Sequence, residues 1–188
     1  MRSNFHYVAL KKPKAIDENT FRVGYVLDLR NNNKVLDVKV CRNLIRMTKQ
    51  TFYLDSLSRN PDDFNDFCGE VSIDPEVFVK ERYYEDKTYF ITLLMHELGH
   101  CYDPNTMLQD ENYSKIRNDY LKRGAVHPCE LFADEFAIKE RGLDRFLDAV
   151  DKMIFYRKQM QESEESKRIA LLELELRKKH AIDYAKAH

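Results

Sequence analysis

The sequence predicts an α+β fold in which a small N-terminal sheet precedes a series of helices. Before residue 80 the chain contains short runs rich in Val, Tyr and Phe that are separated by turn residues, a pattern typical of strands. From residue 87 onwards apolar residues recur every three to four positions, which is typical of helices. The 188 residues contain no internal repeat and suffice for one domain with a buried core.

The first predicted elements are two strands within residues 21–40. Two extended runs flank the asparagines at 31–33, and this turn chemistry predicts a hairpin. Residues 41–57 have apolar positions at a moderately helical spacing, so we expect a helix there. Residues 60–67, "NPDDFNDF", have the composition of a loop.

A further strand and the first well-defined helix follow. The segment "GEVSIDPEVF", residues 69–78, is predicted to be a short strand that ends at Asp74-Pro75. Asp86 is a suitable N-cap for "KTYFITLLMHELGHCY", residues 87–102, in which apolar side chains recur with the helical period. This helix is the most strongly indicated element of the chain.

The second well-defined helix begins near Pro128, because proline is well suited to the first turn of a helix. It continues through "CELFADEFAIKE" and is expected to end before Gly142. The preceding residues, 103–124, are polar and predicted to be irregular.

The chain from residue 143 to residue 188 is helical in composition and heavily charged. Its apolar residues suggest one helix face that docks on the domain, namely Ile169, Leu172, Leu176 and Ile182. The alternative is an exposed helix that contacts a partner protein. The oligomeric state does not follow from the sequence.

The charge balance and the apolar pattern exclude several functional classes. With 31 basic and 32 acidic residues the formal net charge is −1, so we expect no general affinity for nucleic acid or anionic membranes. No apolar run is long enough to span a bilayer, and the N-terminus lacks the apolar core of a secretory signal, which predicts a cytoplasmic protein. The four cysteines form no C-x-x-C pair, so we expect thiols.

Two histidines within the predicted helix of residues 87–102 indicate a metal site. His96 and His100 are four residues apart and therefore lie on one face of a helix. Their imidazoles can bind one ion, and Zn²⁺ is the metal that suits this ligand type. Glu97 is rotated by about 100° from His96 and could reach a water held by the metal, which predicts a general base.

A third ligand is expected, since a catalytic zinc usually has three protein ligands and one open position. Glu130 and Asp134 lie four apart, hence on one face of the second helix, among apolar residues. This pair predicts one carboxylate on the metal and one that accepts the other ring N–H of a ligating histidine. Ala133 between them is small enough for the two helices to approach closely. The candidates for the third ligand are Glu130, Asp134, Glu135, His127 and Cys129.

The motif "HELGH" followed by "ELFAD" resembles the gluzincin metallopeptidases, whose pattern is H-E-x-x-H with a later E-x-x-x-D. The resemblance implies a zincin-like fold, a zinc ion held by His96, His100 and Glu130, and Glu97 as general base and acid. It also implies that Asp134 supports a ligating histidine. The implied activity is that of a zinc metalloendopeptidase acting on a protein or peptide substrate.

The resemblance also implies how substrate is bound and how the chain is divided. In gluzincins a strand before the active-site helix pairs with an extended peptide, which points to Val71, Ser72 and Ile73. His127 is a further candidate for substrate contact. We expect one domain over residues 1–188, with a catalytic core at about 68–142 and a helical extension at about 143–188.

Two questions stay open at the level of sequence. Tyr113, Tyr120 and His127 are all conceivable stabilisers of the oxyanion that forms during peptide hydrolysis, and no motif selects one. The chain could also be a zinc-stabilised binding or regulatory module without turnover. The presence of Glu97 argues against this alternative, because a structural zinc site needs neither a base nor an open position.

Overall fold

The computed structural model of the protein describes residues 4–15, 20–30, 34–42, 52–56, 66–71, 89–105, 112–159 and 163–188. Within these ranges the fold is α+β, as the sequence predicts. The strands are β1 (Phe5–Ala15), β2 (Thr20–Asp28), β3 (Lys34–Arg42), β4 (Phe52–Ser56) and β5 (Asp66–Val71). The helices are α1 (Tyr89–Tyr102), α2 (Tyr113–Lys122), α3 (Pro128–Arg141), α4 (Leu143–Gln159) and α5 (Glu164–Ala187).

The described strands form one sheet in the order β1-β2-β3-β5-β4. The predicted hairpin is confirmed, since β2 and β3 are antiparallel and Asp28 pairs with Lys34. β1 adds to the hairpin in antiparallel orientation, and β5 pairs with β3 in parallel and with β4 in antiparallel orientation. β1 was not predicted from the sequence, although Phe5 is buried and His6 exposed, as expected for a strand with one covered face.

Three segments differ from the predicted secondary structure. The helix predicted over residues 41–57 is wrong at both ends, because β3 extends to Arg42 and because β4 is a strand in which Phe52 and Tyr53 pair with β5. Aromatic residues suit a strand that has a neighbour to pair with, and this outweighs a weak helical spacing. The irregular structure predicted for residues 103–124 is wrong for Tyr113–Lys122, which is α2. β5 also begins within the predicted loop, at Asp66.

The prediction that Val71 lies on an open strand edge is wrong. β5 has a hydrogen-bonded neighbour on each side, and Val71 is paired with Arg42 of β3 and with Phe52 of β4. A strand paired on both sides cannot add an extended peptide. Ser72 and Ile73, like the predicted N-cap Asp86, lie outside the described residues.

The described core is formed by α1 together with the sheet and the helices α3, α4 and α5. Phe90, Leu94 and Leu98 of α1 are buried together with Phe5 of β1 and Val26 of β2. The ring of Phe5 lies 6.0 Å from that of Tyr102 and 5.6 Å from that of Phe136, measured between ring centroids. Because α1 is covered on several sides, it is a rigid support for its two histidines.

The helices predicted for the C-terminal half are confirmed. Gly142 ends α3 with φ of 89°, a conformation that favours glycine. The docked face of α5 differs from the predicted one, since Leu172 is exposed. The buried residues of α5 are Glu173, Leu174, Arg177 and Ala181. Two of these are charged, so apolar spacing alone selected a face about one residue away.

Within the described ranges, the helices are too short or too polar to cross a membrane.

Candidate metal centre

The two motif-bearing helices, α1 and α3, are in backbone contact at Gly99. A Cβ atom at Gly99 would lie 2.6 Å from the Cα of Ala133 and 3.0 Å from its carbonyl oxygen. Real side chains do not approach backbone this closely, so only glycine fits. This contact, expected from the small residue Ala133, brings the histidines of α1 beside the carboxylates of α3.

The imidazoles of His96 and His100 converge as the four-residue spacing predicts. Their Nε2 atoms lie 3.1 Å apart, and both side chains are buried. Together with Glu97 they form a group whose ligand atoms all lie within 4.8 Å of one another, which could hold a metal ion. Two buried imidazole nitrogens that converge in this way are suited to bind one metal ion.

Glu130 completes a set of three groups around the same point. Its Oε2 lies 3.4 Å from the Nε2 of His96, and its Oε1 lies 3.8 Å from the Nε2 of His100. Ligand atoms bound tetrahedrally to zinc at 2.0–2.2 Å are about 3.3–3.6 Å apart. The separations of 3.1, 3.4 and 3.8 Å, the last two measured to different oxygens of Glu130, lie in or near this range, so these side chains could together hold one metal ion.

Glu97 is a second carboxylate near the Nε2 of His96. Its Oε1 lies 3.9 Å from the Nε2 of His96, farther than the nearest oxygen of Glu130. The side chain of Glu97 is 16% exposed, whereas that of Glu130 is 8% exposed. Glu97 thus borders the site on its solvent side, which suits a base better than a ligand.

Asp134 lies directly behind His96. Its Oδ1 is 2.8 Å from the Nδ1 of His96, and the residue has no solvent exposure. A carboxylate in this position accepts the Nδ1–H and leaves Nε2 to face the metal. The geometry assigns His96, and not His100, as the histidine that Asp134 supports.

The two histidines differ in electrostatics. Burial and Arg177 lower the pKa of His96, but hydrogen bonds to Asp134 and Glu130 outweigh them and raise it to about 9. Burial lowers the pKa of His100 to about 3, and its Nδ1 is buried without a hydrogen-bond partner. The pKa of both Glu130 and Asp134 is lowered, because the neighbouring cationic groups outweigh their burial.

Arg177 of α5 also enters the site, which the sequence did not predict. Its guanidinium binds both oxygens of Asp134, and its Nη1 lies 3.7 Å from the Oε2 of Glu130. The residue is only 5% exposed. A signal was present in "ELELR", where Glu173 and Arg177 are four apart on the face that also carries Leu174.

A second cluster surrounds the start of α3. His127 is the N-cap, and its Nδ1 accepts the backbone N–H of Cys129 at 3.3 Å. The Tyr113 hydroxyl donates to the Oε1 of Glu130 at 2.5 Å. The rings of Tyr113 and Tyr120 pack edge-on against His127, and Cys129 forms no disulfide.

The remaining candidates for a third ligand or an oxyanion stabiliser make other contacts. His127 and Cys129 contact each other, with the Nδ1 of His127 2.8 Å from the Sγ of Cys129. The Tyr113 hydroxyl donates its hydrogen bond to the carboxylate of Glu130. This contact suits a residue that orients Glu130 better than one that stabilises an oxyanion. The carboxylate of Glu135 pairs with another residue, since its Oε1 lies 3.0 Å from the Nε2 of His180.

Comparisons of the chain with protein-family models, with curated proteins and with solved structures found no match. The functional assignment therefore rests on the chemistry of the site itself.

Proposed function

We propose that the protein is a zinc metalloendopeptidase of gluzincin type, with a zincin-like fold. The observation that carries the proposal is the convergence of His96, His100 and Glu130. The two Nε2 atoms lie 3.1 Å apart, and each lies within 3.8 Å of an oxygen of Glu130. Two imidazoles and one carboxylate are the ligand set of catalytic zinc in peptidases and leave one position open. The three side chains would hold the ion.

Each neighbouring side chain has a role that follows from its position. When bound, zinc supplies a Lewis acid that polarises a carbonyl and lowers the pKa of water. Glu97, at the exposed border of the site, accepts a proton from the attacking water and delivers it to the leaving amine. Asp134 holds the His96 ring in the orientation that directs Nε2 at the metal.

Tyr113 restricts the orientation of the Glu130 carboxylate, the proposed third metal ligand. Its hydroxyl donates to the Oε1 of Glu130, which leaves the Oε2 as the oxygen nearer to His96. Burial and the neighbouring carboxylate raise the pKa of Tyr113, so the phenol keeps its proton at physiological pH and remains a donor.

The substrate is proposed to be an extended peptide that adds to the sheet. Among the described strands the two edges are β1 and β4. Of these, β4 has the more extensive backbone contact with α1, the helix that carries His96 and Glu97. A peptide paired with the edge of β4 would therefore lie beside the metal centre.

The proposal is tested with a mixed peptide library, incubated with the native protein and with Glu97→Gln and read by mass spectrometry. We expect cleavage by the native protein that a chelator abolishes, and no cleavage by Glu97→Gln, because an amide cannot accept the proton of water. Equal cleavage by both proteins would remove Glu97 from catalysis. Zinc binding without cleavage by either protein would favour the binding module.

A further inference from the structure

We propose that Arg177 is a positioning residue of the metal centre, which makes the last helix a part of the site. The inference rests on the proposed zinc site of His96, His100 and Glu130. Arg177 makes no hydrogen bond to Glu130, whose Oε2 lies 3.7 Å from its Nη1, and its Nη2 lies 3.5 Å from the Nε2 of His96. It acts through Asp134, the carboxylate that supports His96.

Asp134 accepts hydrogen bonds from both His96 and Arg177. Its Oδ1 accepts from the Nδ1 of His96 at 2.8 Å and from the Nη2 of Arg177 at 2.5 Å. Its Oδ2 accepts from the Nε of Arg177 at 2.8 Å. With a planar fork on both oxygens, the carboxylate has a single orientation, and the plane and position of the His96 ring follow from it.

The position of the Arg177 guanidinium carries an electrostatic cost. The Nη2 of Arg177 lies 3.1 Å from the Nδ1 of His96, so a cation lies beside an imidazole that is to bind another cation. Burying an arginine costs several kcal/mol unless its hydrogen bonds are well made. Because the Nη2 of Arg177 and the Nδ1 of His96 donate to the same oxygen of Asp134, the guanidinium and the imidazole ring are fixed relative to each other.

The helix α5 is anchored to the rest of the domain on both sides of Arg177. Glu173, one turn earlier, is buried and forms a two-point pair with the guanidinium of Arg117 on α2. Ala181, one turn later, is fully buried. The same face of α5 thus fixes its own position on both sides of Arg177, which a positioning residue requires.

The test measures the zinc affinity of folded protein by competition with a chromophoric chelator, without any peptide. We expect Arg177→Met to weaken zinc binding by about 10- to 100-fold, as changes behind a metal ligand do. In the background of Asp134→Asn, the same substitution should cause much less additional loss, because the group through which Arg177 acts is already altered.

Two further variants keep the test decisive. Arg177→Lys retains the charge but cannot bind both oxygens, so zinc affinity should fall by about tenfold even if Arg177→Met does not fold. The matched control is Lys178→Met, the next residue on α5, which pairs with Asp151 away from the site and should leave zinc affinity unchanged.

The outcomes separate this inference from the proposed activity. Zinc affinity within twofold of native in folded Arg177→Lys, or full additivity of Arg177→Met with Asp134→Asn, would overturn the positioning role. A native protein that binds zinc without cleaving peptides would refute the peptidase and leave the role of Arg177 intact. A native protein that binds no zinc would overturn both.

Discussion

At the scale of single residues, the imidazole of His96 is held from both of its nitrogens. Asp134 accepts from Nδ1, and the Oε2 of Glu130 lies 3.4 Å from Nε2. A protonated imidazole between two carboxylates is stabilised, whereas His100 is buried and its Nδ1 has no acceptor. The two histidines should therefore differ sharply in proton affinity.

We expect this difference to be visible in metal-free protein by NMR titration of the imidazole ring protons. His96 should titrate with a pKa of about 9 and remain protonated at neutral pH, while His100 stays neutral. Asp134→Asn should lower the pKa of His96, because the amide carries no charge and is a weaker acceptor. Two histidines that both titrate near 6.5 would contradict the described environment.

His127 offers a second prediction at this scale. Its side chain caps α3 by accepting the N–H of Cys129, so His127→Ala should cost about 0.5–2 kcal/mol in the free energy of unfolding. Since His127 contacts Cys129 and the neighbouring tyrosines, the substitution should leave the zinc content unchanged. His127→Asn is the control, because asparagine restores the cap. Loss of zinc in both variants would instead make His127 a ligand.

At the scale of secondary-structure elements, the site depends on how closely α1 and α3 approach. The contact of Gly99 with the backbone of Ala133 has no flexible side chain that could move aside. A helix separation only slightly larger would draw Glu130 away from both histidines.

Gly99→Ala is therefore expected to weaken zinc binding and to lower the melting temperature. On an isolated helix the same change stabilises by about 1 kcal/mol, so the sign of the effect identifies the clash. Calorimetry and a zinc titration of the variant measure both quantities. A higher melting temperature with native zinc affinity would show that the two helices have room to spare.

These elements also show how far a sequence predicts such a site. His96 and His100 could be placed because four-residue spacing within one regular helix fixes relative positions. From residue spacing alone, the third metal ligand could only be narrowed to five candidates, since the distance between α1 and α3 depends on packing. Arg177 escaped prediction because a buried charge with a remote partner resembles a solvated one in the sequence.

The strands were predicted less well for a related reason. A hairpin is local, and the turn at residues 31–33 indicated it. The position of β5 between β3 and β4 follows from pairings distant in sequence, so the open edge expected at Val71 could not be tested against the sequence alone.

At the scale of the whole molecule, the candidate site unites parts of the chain that are far apart. α1 provides the histidines and Glu97, α3 provides Glu130 and Asp134, and α5 provides Arg177. The predicted boundary near residue 142, between a catalytic core and a helical extension, is not a boundary of the candidate site, because Arg177 of the extension contacts Asp134. A metal bound here would stabilise the packing of α1 against α3, and α5 through Arg177.

The central claim is that Glu130 binds zinc and Glu97 does not. The most direct measurement is the zinc content of purified native protein, Glu130→Gln and Glu97→Gln after dialysis against a weak chelator, with circular dichroism to verify folding. The same chemical change is made at both positions, so each variant is the control for the other. We predict one zinc per native chain, one per Glu97→Gln chain, and far less than one for Glu130→Gln, because losing a ligand leaves only two. Zinc retained by Glu130→Gln but lost from Glu97→Gln would contradict this assignment and make Glu97 the third ligand.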